Sequence, residues 1–222
     1  HSANKSAEVI VWNWSWNMYE PDPQGEIIKN LPNNIILMSD FERGGKKKVL
    51  GKEIPIDEYS LSYIGPSERF LGNLYEVEKK GLEMFAKLQF CTTHEIATVP
   101  YLPLPYNVYQ KFDQMHRLGI TGSLGCWIMG NYPSMITYLA SQLYFTPFPE
   151  NKEELLHRAA VRYFGKKAAG DILKAWQLFT QGMDNFPFSQ SLIKYGPMNS
   201  GPAYPIFLKS IDRPLERSWL LG

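Results

Sequence analysis

The chain of 222 residues is short of cysteine, of charge imbalance and of long apolar runs, and each shortage removes a class of protein. Its two cysteines, Cys91 and Cys126, are too few for a disulfide scaffold, and both lie in apolar, strand-like stretches where buried free thiols are expected. The 23 Lys and Arg against 22 Asp and Glu leave a net charge of +1, so no field recruits nucleic acid or an anionic membrane. The one basic run, Lys46-Lys47-Lys48 behind Gly44-Gly45, reads as a solvated loop. No apolar run reaches the roughly 18 residues that span a bilayer, and the N-terminus lacks the charged, apolar, small-residue order of a signal peptide.

Signatures of several chemistries are missing too. There is no G-x-S-x-G elbow for a serine nucleophile, and neither HExxH nor paired-cysteine spacing for zinc. His94 and Glu95 are adjacent, and adjacent strand residues face opposite ways, so they form no metal pair. "GITGSLG" carries Gly119, Gly122 and Gly125, but the first precedes its strand instead of joining strand to helix, which defeats a dinucleotide cradle. No metal and no cofactor is expected.

What is plentiful is apolar and aromatic side chain, 44% and 14% of residues, ample for a packed core. In "AEVIVWNWSWN" three tryptophans, Trp12, Trp14 and Trp16, stand at alternate positions, and in an extended strand that period puts all three indoles on one face. Indole suits a core and suits stacking against a ligand. Trp12 and Trp14 read as packing, while Trp16, beside the strand-ending Asn17, reads as a ligand contact.

The rest of the chain alternates strand and helix. A short helical piece around Ile27 to Asn30 leads to the apolar run Ile35 to Met38, a strand covered on both faces that ends in Ser39, Asp40, Glu42 and Arg43. Tyr59 to Ile64 reads as another strand, broken by Gly65-Pro66. Residues 71 to 86 place Leu71, Leu74, Val77, Leu82 and Phe85 at helical intervals. "KLQFCTTHEI" is strand-like with a polar end, "VPYLPLPY" is loop, "NVYQKFDQMHRLG" is a helix stopped by Gly119, and "ITGSLGCWIMGNYPS" is a glycine-rich strand. Residues 151 to 183 hold two helices parted at Gly165, the first capped by Asn151, and the tail beyond is rich in Gly and Pro. Such alternation predicts parallel strands with covering helices, over residues 1–148, and a helical extension with its tail over 149–222.

In parallel α/β folds ligands bind at the C-terminal strand ends, where Asp40, Glu42, His94, Glu95, Asn131 and Tyr132 collect. Carboxylates there, with aromatic platforms and polar donors, fit hydrolysis of a glycosidic bond, which needs one carboxyl as proton donor and another as nucleophile or base. Glu95, at a strand end before a proline loop, is the first catalytic candidate and Asp40 the second. Trp16, Asn17, Glu42, His94, Trp127, Asn131 and Tyr132 are the expected substrate contacts, with Asn13 a further donor. Glu68 and Arg69 are weaker candidates, and His116 and His157 read as helix-face residues.

The run from "KLQFCTTHEI" to "GCWIMGNYPS", followed by "ELLHRAAVRYFGKKAAGDILKAWQLFTQGMDNFPF", resembles the last strands and trailing helices of bacterial (β/α)₈ glycoside hydrolase barrels, and is reminiscent of the hexosaminidase and α-glucuronidase types. The likeness covers roughly residues 7 to 190. It implies a TIM-type barrel, of which this chain would be the C-terminal half, with Glu95 ending the penultimate strand where retaining enzymes of this layout keep a nucleophile, and Trp127 under the sugar. It also implies a secreted or periplasmic protein acting on carbohydrate. A full barrel takes about 250 residues, so the expectation is either a fragment lacking the N-terminal half or a half-barrel completed by oligomerisation. A carbohydrate-binding protein without turnover and a structural half-barrel are the alternatives.

Overall fold

The computed structural model of the protein describes residues 7–16, 22, 24–57, 59–91, 94–96, 101–125 and 133–186. Four strands form one parallel sheet in the order β1-β2-β5-β6, curled into a half-barrel: β1 Val9–Trp12, β2 Ile35–Asp40, β5 Glu83–Leu88 and β6 Gly122–Gly125. Helix α1 (Gln24–Asn30) joins β1 to β2. An antiparallel ribbon, β3 (Gly45–Val49) and β4 (Lys52–Ile56), with helix α2 (Glu68–Lys80) joins β2 to β5, and α3 (Pro105–Arg117) joins β5 to β6. Helices α4 (Met135–Leu143), α5 (Lys152–Phe164) and α6 (Ala169–Asp184) follow.

The register sorts side chains between the two faces. Trp12 pairs with Met38, Met38 with Phe85 and Phe85 with Gly122, and one step nearer the C-terminal ends Asp40, Lys87 and Leu124 align. These rows share one face because partners in a parallel ladder point the same way. The opposite face carries Leu37, Met84, Ala86 and Leu88 into a core with Ile28 of α1, Phe70 and Val77 of α2, and Val108 and Phe112 of α3. The helices therefore cover that face, leaving the Trp12–Asp40–Lys87 side as the inner surface of the curl. Gly122 is required there, since a side chain at that position would run into the Phe85 ring.

Several expectations need correcting. Strand β1 stops at Trp12, and Trp14 and Trp16 sit in the turn beyond it, so the period of two does not place three indoles on one strand face. The helix expected over 71–86 ends at Lys80: Gly81 adopts φ 73°, its N–H returns to the carbonyls of Glu78 and Val77, and Leu82 and Phe85 belong to the approach and body of β5. That strand runs Glu83–Leu88, four residues ahead of the expected one, and His94–Ile96 is a turn of 3-10 helix. Tyr59 to Ile64 joins no ladder; Tyr59 has φ 68° and the segment is loop. Lys46–Lys48 is strand β3, not a loop.

Other features hold as read. β2 is buried along all six residues, α3 forms as expected although it begins two residues earlier, at Pro105 and Tyr106 of the expected loop, and Gly165 parts α5 from α6 with Asn151 capping the Glu154 N–H at 3.1 Å. Cys91 is fully buried, and Cys126 lies outside the described residues. Leu155, Leu156, Ala159 and Trp176 of the two last helices lie in the same core cluster as Phe112 and Leu88, so the packing is continuous across residue 148.

Candidate functional site

The C-terminal end of the curl begins with Trp12 and Asp40, last residues of neighbouring strands. The indole Nε1 of Trp12 donates to Asp40 Oδ1 at 2.8 Å, and Arg43 Nη1 lies 4.0 Å from Asp40 Oδ2. Arg43 also meets Asp57 at 3.3 Å, donates to the Trp14 carbonyl at 3.0 Å, and stands over the Trp14 ring at 5.8 Å. Trp14 is exposed at 37%, so it offers an accessible aromatic face beside a carboxylate. Arg69, paired with Asp22 at 3.5 Å, packs against Gly44; burial holds its guanidinium below the usual arginine range, with Asp22 pulling the other way. In register with Asp40, the fully buried Lys87 places its ammonium 3.5 Å from the centroid of the Tyr59 ring.

Behind this rim a buried polar network braces the loop that replaces the expected strand. Glu95, fully buried, accepts from Ser60 Oγ at 2.8 Å, from Ser62 Oγ, and from the N–H groups of Leu61 and Ser62 at 2.9 and 3.0 Å. Asn107 of α3 donates to the Leu61 carbonyl at 2.8 Å, and Lys111 of the same helix donates to the Ser60 carbonyl at 2.9 Å and to Glu42 Oε1 at 2.6 Å. Lys111 and Glu42 are both fully buried, a pair whose removal on one side alone costs about 3–5 kcal/mol in typical proteins. On the helix side of the sheet Asn13 and Asn73 both donate to Gln24 Oε1 and Ser39 Oγ, tying β1, α1, β2 and α2 together.

Among the expected residues, Asp40 reaches the inner rim, and Glu42 stands two residues beyond it. Glu95 directs its carboxylate at the 60–62 loop. Trp16 packs, partly buried, against the main core, and Asn13 is a structural tie rather than a free donor. His94 falls in the 3-10 turn beside Glu95. Asn17, Trp127, Asn131 and Tyr132 lie outside the described residues. Glu68 opens α2, with Ser67 as the cap that receives the Phe70 N–H at 3.1 Å.

A local ion pair of Arg43 with Asp40 follows from their closeness in sequence, but the contact of Trp12 with Asp40, the reach of Arg43 to Asp57 and the Trp14 carbonyl, and the roles of Lys87, Tyr59 and Lys111 were not legible there. The one available signal was Lys87, a charged residue among the apolar residues Met84 to Leu88, since a lysine buried in a parallel strand requires partners. Among the described residues no group of three or more His, Cys, Asp and Glu is placed to hold a metal ion, and no helix is long and apolar enough to cross a membrane. No protein-family model, curated protein or solved structure matches this chain.

Proposed function

We propose that this chain is the C-terminal half of a (β/α)₈ barrel of glycoside hydrolase type, and that its C-terminal rim binds a sugar with Asp40 as the carboxylate that meets it. The observation that carries this reading is the Trp12–Asp40 contact, made by the last residues of adjacent parallel strands, with the part-exposed Trp14 ring packed against Trp12 and Arg43 beside it. An aromatic face next to an acid is what a sugar ring needs, apolar C–H surface on one side and hydroxyl partners on the other. Trp12 Nε1 and Arg43 orient the Asp40 carboxylate. Glu95, with both oxygens engaged by the 60–62 loop, serves in this reading as a positioning residue, and the second carboxylate required for hydrolysis comes from the half that completes the barrel.

A second reading, sugar binding without turnover, is favoured by the same commitment of Glu95 to loop hydrogen bonds. With the chain assembled with the half that completes the barrel, a panel of nitrophenyl glycosides of glucose, N-acetylglucosamine and glucuronic acid separates the two, with binding of the free sugars followed by tryptophan fluorescence. Hydrolysis that falls by at least about a hundredfold in Asp40→Asn, with binding retained, supports the enzyme. Binding without hydrolysis of any member supports the second reading. Absence of both overturns the carbohydrate assignment.

A further inference from the structure

Away from the rim, the outer face of α5 carries cations that the fold does not neutralise. His157, Arg158, Val161, Arg162 and Lys166 line a surface groove of about 520 Å³. Arg158, Arg162, Lys166 and the neighbouring Lys167 are exposed, and none of them forms an ion pair among the described residues. Like charges four residues apart, as Arg158 and Arg162 are, weaken a helix. The helix dipole offsets this only in the last turn, where Arg162 lies. Arg162 is also held in place, its guanidinium 4.7 Å over the Tyr138 ring. The groove is not purely ionic: Val161 lies among the cations, and Phe164, three residues on along the same helix face, is 47% exposed. Arginine beside an accessible aromatic ring is the composition in which protein–protein interfaces are enriched.

We infer that this face of α5 docks an extended acidic peptide segment of a partner protein, its carboxylates on Arg158, Arg162 and Lys166 and an apolar side chain on Val161 and Phe164. The spacing fits such a segment. Four helical residues rise about 6 Å, and alternate side chains of an extended peptide stand on one face about 6.6 Å apart, so carboxylates at every second position meet successive arginines. The inference is independent of the carbohydrate reading. It is tested on the full chain by fluorescence anisotropy, with a fluorescein-labelled peptide of core Glu-Ser-Glu-Ser-Leu as probe. Binding should saturate and weaken at least about tenfold between about 0.05 and 0.5 M salt, because exposed charges are screened. Arg158→Gln/Lys166→Gln, at two exposed positions, should keep the wild-type thermal transition and weaken Kd at least about fivefold. Lys48→Gln/Lys52→Gln, exposed on the β3–β4 ribbon, should leave Kd unchanged. Serine in place of the probe's leucine should weaken binding at least about threefold. No saturable binding, an unchanged Kd in the α5 variant, an equal loss in the ribbon variant, or indifference to the leucine overturns the inference. Polygalacturonate that competes more tightly than the unlabelled peptide overturns it in favour of an anionic glycan.

Discussion

The two carboxylate oxygens of Glu95 accept hydrogen bonds from the Ser60 and Ser62 hydroxyls and from the N–H groups of Leu61 and Ser62. Removing the carboxylate strands two hydroxyls and two backbone N–H groups in a buried place, and each unsatisfied group is expensive. Glu95→Ala should therefore lose about 3 kcal/mol or more of stability in urea unfolding, with Glu95→Gln falling between it and the wild type because the amide keeps the volume and one acceptor. Wild-type stability in the alanine variant would remove the anchoring role. In sequence, an acid after a strand and before a proline loop looks the same whether it faces a ligand or props a neighbouring loop, because the distinction depends on which donors arrive from 35 residues away.

At the scale of elements, the β3–β4 ribbon is a clasp. Lys46 and Lys48 are exposed, but Lys47 between them is half-buried and donates to the carbonyls of Met183 and Phe186, at 2.9 and 3.3 Å, at the C-terminal end of α6. A cation there complements the negative end of the helix. Burial holds the Lys47 ammonium below the ordinary lysine value of 10.5, against the pull of Glu95 and Asp184. The sign follows: between the lowered folded value and 10.5 the unfolded chain binds more protons at this site, so the contribution of Lys47 to stability rises with pH across that window and is least favourable below it. Urea unfolding of the wild type and Lys47→Met at several pH values should show the wild type gaining on the variant as pH rises; a constant difference would show that the site carries no linked proton. Three consecutive lysines read as solvent because composition is local, whereas the ribbon exists through pairing with Lys52–Ile56 and docking on a helix 136 residues further along the chain.

For the whole molecule, one apolar core runs from the sheet through α3 and α4 to Trp176 on α6. Elements that share a core unfold together, so circular dichroism, which follows the helices, and tryptophan fluorescence, which follows all six tryptophans together, should report coincident thermal transitions. Two separated transitions would mean that the helical extension is an independent unit. The sequence by itself determined what depends on near neighbours: the buried apolar strand β2, the helices α3, α5 and α6 with Asn151 and Gly165 as their punctuation, and the strand–helix alternation that makes the sheet parallel. Local pattern failed where a competing long-range partner decided. Tyr59–Ile64 has the composition of a strand but finds Glu95, Asn107 and Lys111 instead of a ladder, and Leu82 and Phe85 fit a helical period until Gly81 turns the chain into β5. Only the tertiary structure could bring Trp12 to Asp40, Lys87 to Tyr59 and Lys111 to Glu42, because register and helix docking set those distances and neither is written in the spacing of residues along one segment.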